Sequence, residues 1–152
     1  MWTYRQRTGE LLRDSVLVGR GYSGWDDGDG VPEPGEGKND PDEQERRHVG
    51  PIPVGLYVIG PAFTHPTKGE LVMRLIPKPG TNTFERSGFL LHGDSRRRPG
   101  AGSEGCIVQL YDVRLLVAES EDHDLEVVRD APSEPLPPAP VPPATPVGRT
   151  SM

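Results

Sequence analysis

Proline decides how much of this chain can pack. Eight of its eighteen prolines fall between Pro132 and Pro146, separated mostly by Ala, Val, Thr and Ser. Each proline fixes φ and removes a backbone donor, so neither a helix nor a sheet interior can run through this stretch. Residues 131–152 read as a polyproline-type linker or flexible tail. What remains, residues 1–130, is the length of one domain.

Within that domain the apolar runs are short and bounded by turn residues. Trp2 to Arg7 alternates and reads as a strand. Thr8-Gly9 is a turn, and Leu11 to Val18 is a second strand, so the chain opens on a predicted hairpin. Gly19 to Gly24 loosens the backbone. Residues 26–47 carry nine carboxylates and no apolar period, which predicts a long acidic surface loop. Their spacing does not match a calcium-binding EF-hand loop. Further strands are expected at Leu56–Ile59, Glu70–Ile76, Gly88–His92, Cys106–Gln109 and Asp124–Arg129. Leu110, Val113 and Leu116-Val117 share one helical face, predicting a single helix over Leu110–Ala118. The fold class is mainly β with one short helix.

Net charge is −6 with a pI near 5.2, which argues against nucleic acid as partner. The one basic run, Arg96-Arg97-Arg98, reads either as a solvated loop or as a rim that attracts anionic substrate. No apolar run approaches the roughly 20 residues of a membrane span. The N-terminus lacks the apolar core of a signal peptide, which predicts synthesis in the cytoplasm. A single cysteine cannot form an internal disulfide.

That cysteine carries the chemistry. Gly88-Phe-Leu-Leu-His92-Gly93-Asp94 is followed, after an Arg/Gly loop, by Ser103-Glu104-Gly105-Cys106-Ile107-Val108. An apolar run ends on a histidine, and a small-residue turn delivers the thiol to the start of the next run. A thiol attacks as thiolate and needs a base; imidazole is the natural one. Gly105 lets a substrate carbonyl approach the backbone. The N–H groups of Gly105 and Cys106 are candidates for an oxyanion hole, and Ser103 for fixing the turn.

The His-Gly…Ser-x-Gly-Cys-Ile pattern resembles the L,D-transpeptidase catalytic signature. Tyr22-Ser23-Gly24, Gly37-Lys38-Asn39 and Gly50-Pro-Ile-Pro-Val-Gly-Leu-Tyr57 add a likeness to L,D-transpeptidase-like effectors of bacterial type VI secretion. The resemblance spans residues 1–130. It implies an L,D-transpeptidase-like β-sandwich without metal or cofactor. Cys106 is then nucleophile and His92 base, and the Gly93 carbonyl orients the imidazole. Ser103 and Gly105 shape the nucleophile turn. Asp94, Tyr22, Ser23 and Asn39 are implied substrate contacts, with a plain turn role the alternative for Asp94.

The implied substrate is a peptidoglycan tetrapeptide stem. The thiolate displaces terminal D-alanine, and water or an amine resolves the thioester. The implied setting is the periplasm of a target bacterium, with an immunity protein as partner and the Pro-rich tail as a possible adaptor contact. Two departures stand out. Glu104 replaces the family's usual His and is expected to point outward. Val108 stands where Arg or Asn is common. Two other readings of the same residues are a zinc hydrolase using His92, Asp94 and Cys106, and a non-catalytic β-sandwich module that binds cell wall or acts as an adaptor.

Overall fold

Trp2 and Tyr4 set the core, because alternation along an extended chain points them to the same side. Both are buried while Thr3 and Arg5 are only partly so. The computed structural model describes residues 1–29 and 33–130; the Pro-rich tail lies outside the described residues. In chain order the strands are β1 (Trp2–Arg5), β2 (Glu10–Arg13), β3 (Val16–Arg20), β4 (Tyr22–Ser23), β5 (Gly55–Ile59), β6 (Phe63–His65), β7 (Gly69–Pro77), β8 (Leu90–His92), β9 (Ile107–Val108) and β10 (Asp124–Val128). One helix, α1 (Tyr111–Glu119), sits between β9 and β10.

The described residues are therefore mainly sheet with one short α-helix, as the sequence predicts. Its strands do not separate into two sheets. They form one hydrogen-bonded series, β3-β2-β1-β10-β5-β7-β8-β9-β4, with β6 added to β7. Leu11 on β2 and Ile107 on β9 are six strand positions apart in that order, which is roughly 29 Å in a flat sheet. Both belong to the same core cluster. The sheet must therefore roll around one core. The Gln109 amide donates to the Gly9 carbonyl at 3.1 Å, tying the end of β9 to the β1–β2 turn.

Several expectations change. The predicted second strand is two strands, broken at Asp14 and Ser15, which both take positive φ (49° and 72°). This hairpin turn has no glycine, so the break is hard to read from composition. β4 and β6 are also new; two and three residues are too few to show a period. The acidic loop is clamped to the domain. Trp25 N–H donates to Val49, and the Gly37 and Lys38 N–H groups donate to Trp25. A 3-10 turn at Pro41–Glu43 follows, with Asp40 accepting from the Asp42 N–H.

Helix α1 begins one residue later than predicted, and its buried face is not the predicted apolar one. Val113 and Val117 are buried, but Leu110 and Leu116 are exposed, and Arg114 is buried in their place. Among the described residues, no helix is long and apolar enough to cross a membrane.

Candidate active site

Strand β8 stops at His92 because Gly93 follows. Strand β9 starts after Cys106 because Gly105, at φ +139°, turns the chain. The two strands are parallel, with Leu91 opposite Ile107 and His92 opposite Val108. Residues opposite one another share a face, and side chains repeat every second residue. Cys106 therefore continues opposite Leu90, on the face that carries His92. Both residues line one open cleft of about 1240 Å³. The sequence-predicted pair is brought to one wall, though the residues are fourteen apart in the chain.

The imidazole is held in one tautomer. His92 Nδ1 lies 2.7 Å from the Gly93 carbonyl oxygen. A carbonyl only accepts, so Nδ1 carries the proton and Nε2 presents its lone pair. Nε2 is buried and has no hydrogen-bond partner among the described residues. Burial pushes the His92 pKa down to about 4; the Gly93 bond opposes this, and Lys68, Arg114 and His65 reinforce it. Burial also raises the Cys106 thiol above its ordinary value. The Leu90 N–H, Lys68 and Arg86 partly offset that, and Glu104 adds to it. At neutral pH the pair thus rests as thiol and free imidazole.

That resting state has a measurable consequence. Alkylation of Cys106 by iodoacetamide should accelerate with rising pH through the region above pH 8, following the thiolate fraction. A reactive plateau between pH 5 and 8 would instead reveal a thiolate–imidazolium pair and overturn the neutral one.

The nucleophile turn is wired tightly. Ser103 Oγ donates to the Cys106 carbonyl (2.6 Å) and accepts from the N–H groups of Gly24 and Gly105 (3.1 Å each). This corrects the expected oxyanion hole. The Gly105 N–H is spent on Ser103, which leaves the Cys106 N–H as the candidate donor of that pair. Ser103 and Gly105 shape the turn, as the motif implies.

Other predicted residues support the site from behind. Ser23 Oγ accepts from the Ile52 N–H and donates to the Gly105 carbonyl. The Asn39 side chain accepts from the Ser23 N–H. The Tyr22 hydroxyl donates to Asp94 and accepts from the Gly102 N–H. Tyr22, Ser23 and Asn39 do not line this cleft, and their hydrogen bonds brace the nucleophile turn from behind. Asp94 does line the cleft, but its carboxylate takes the N–H groups of Ser95 and Gly100 as well as Tyr22; the turn role describes it. Glu104 points outward as expected, 2.9 Å from His48 Nδ1, with both side chains largely exposed.

His92, Asp94 and Cys106 do not converge as a zinc triad. Among the described residues, the one grouping whose ligand atoms come within 4.8 Å of one another is Asp27, Asp29 and Glu33 in the acidic loop. There the neighbouring carboxylates Asp29, Asp27 and Glu36 raise the pKa of Glu33.

Sequence reasoning missed two arginines. Arg86 is buried and donates to four main-chain carbonyls, those of Gln44, Gly50, Pro51 and Glu104. It bolts the Gly50-Pro51 segment to the nucleophile turn. A Cβ on Gly105 would lie 2.3 Å from Arg86 Nη2, which explains the glycine on steric as well as φ grounds. Arg114, from α1, is buried in the cleft wall beside Gly93. A charged residue in a loop or on a helix normally reads as solvated, so neither signalled itself.

Comparison with protein-family models, characterised proteins and solved structures finds no match to this chain.

Proposed function

We propose that this protein is a cysteine acyl-transfer enzyme acting on peptidoglycan tetrapeptide stems, as an L,D-carboxypeptidase, an L,D-transpeptidase or both. The observation that carries the reading is the His92–Cys106 arrangement. The imidazole is fixed by the Gly93 carbonyl with Nε2 unprotonated, and it shares a cleft wall with the chain's one thiol.

The chemistry follows from that resting state. Nε2 takes the thiol proton as Sγ bonds to the carbonyl carbon of the third stem residue. The Cys106 N–H steadies the resulting oxyanion. When the C–N bond breaks, the imidazolium returns its proton to the leaving D-alanine amine, and a thioester remains. His92 then deprotonates water or an incoming amine. Attack on the thioester releases the thiol and gives a tripeptide or a new peptide bond.

The charge of the cleft supports an anionic substrate. Seven of its lining residues are Lys or Arg against three Asp or Glu, in a chain of net charge −6. Stem peptides carry several carboxylates. The resemblance to type VI secretion effectors extends the proposal to action in the periplasm of a target bacterium, with an immunity protein as antagonist.

The test is incubation of the purified protein with tetrapeptide muropeptides, followed by mass spectrometry. Loss of one D-alanine, or its exchange for an added D-amino acid, is expected. Cys106→Ala should give neither. Full product formation by that variant would sink the thiol mechanism.

A further inference from the structure

Arg114 is the least explained charge in the cleft. Its side chain is more than nine-tenths buried. Nε donates to the Gln109 carbonyl at 3.1 Å, and Nη1 to the carbonyls of Glu70 and Leu71 at 2.9 Å each. These partners are neutral. A buried guanidinium without a carboxylate is costly, and a ligand that brings one recovers that cost. The cleft's own acids do not serve. Asp94 is spent on Tyr22 and loop amides, and Glu104 faces His48. Glu70 reaches Arg114 only through its main-chain oxygen.

The remaining nitrogen sits where it matters. Nη2 makes no hydrogen bond to another described residue. A Cβ built on Gly93 would lie 2.6 Å from it. The guanidinium edge therefore adjoins the residue directly after His92. In the reaction proposed above, His92 Nε2 delivers a proton to the leaving nitrogen, so the leaving residue must lie on this side of the thiol. Its carboxylate carbon is two bonds from that nitrogen. Lys68 lines the same cleft and adds positive charge near both His92 and Cys106.

We propose that Arg114 is the specificity-determining residue that binds the free carboxylate of the leaving residue, restricting cleavage to peptides with one residue beyond the scissile bond. The proposal rests on the acyl-transfer reading. Two donors are available for a planar carboxylate, Nη2 and the ammonium of Lys68, and a carboxamide at the same place offers no charge to either. The site then selects an exo substrate without any wall closing its far end.

The experiment compares two synthetic stem tetrapeptides, one ending in D-alanine and one in its carboxamide. Wild type should favour the acid by roughly 10- to 100-fold in kcat/KM, the range of a charge-assisted hydrogen bond. Arg114→Gln should bring the ratio to within about threefold, and Arg114→Lys should retain part of it. Because the ratio is taken within one preparation, a partly unfolded variant does not distort it. Equal use of acid and amide by wild type, or an unchanged ratio in Arg114→Gln, would overturn the proposal. Calorimetric titration of Cys106→Ala with the same peptides separates the two levels. Selective binding of the acid without turnover by wild type would defeat the reaction and keep the carboxylate site. Turnover without acid preference would do the reverse.

Discussion

Replacing His92 with alanine should lower kcat/KM for D-alanine release at pH 7 by roughly 10³- to 10⁴-fold, the upper range for loss of a general base. The argument starts from the resting charge state. Burial holds the Cys106 thiol above its usual pKa, so little thiolate exists at neutral pH without help. Asp94 is engaged by amides and Glu104 by His48, so neither carboxylate stands in for His92. The sign of the pH dependence follows. A protonated His92 cannot accept the thiol proton, so wild-type activity is lost as pH falls through about 4, well below the ordinary imidazole range. The alanine variant has no such limb. Its residual activity should climb with pH as the thiol ionises unaided, and the gap to wild type should narrow above pH 9. Initial rates of D-alanine release from pH 3.5 to 10 check this. An acid limb near 6.5 in the wild type would mean that the imidazole is not buried as described.

Arg86→Leu should destabilise the fold by about 2–4 kcal/mol, because main-chain carbonyls held by its guanidinium lose a charged donor. Four carbonyls lose their donor, and two of them belong to Gly50 and Pro51, which no other described side chain holds in place of Arg86. Gly105→Ala should be severe for a related reason. Its Cβ needs the space of Arg86 Nη2, and alanine is strained at φ +139°. The two substitutions should couple, because leucine at position 86 vacates the space that the new methyl requires. In urea denaturation the double variant is expected to lose at least about 1 kcal/mol less than the sum of the singles, as contacting residues do. Strict additivity would show that the steric contact is not what fixes glycine at 105, leaving φ alone.

The strands that proved legible were those with a clear period and firm ends. Trp2–Arg5, Gly55–Ile59, Gly69–Pro77 and Asp124–Val128 fall close to their expected bounds. The strands without a sequence signal have too few residues to show a period, or are separated by a turn with no glycine to mark it. Periodicity predicts the helix to within one residue but gives it a different buried face. Periodicity counts apolar residues, and the position between Val113 and Val117 that turns inward is an arginine.

The sequence by itself singled out the candidate residues. One cysteine in the chain, preceded by a Ser-x-Gly turn and by a His-Gly strand end, supplies the thiol and the imidazole of the proposed reaction, because side-chain reactivity is a local property of residue type. It also determined the mainly β class, since alternation and turn residues are local too. Only the tertiary structure decided the rest. It rolled one sheet so that β8 and β9 became parallel neighbours, and it spent the Gly105 amide on Ser103. It also drew Arg86 and Arg114 inward. Those outcomes depend on carbonyls lying five to forty-odd residues away, whose positions are set by packing and by no motif near either arginine.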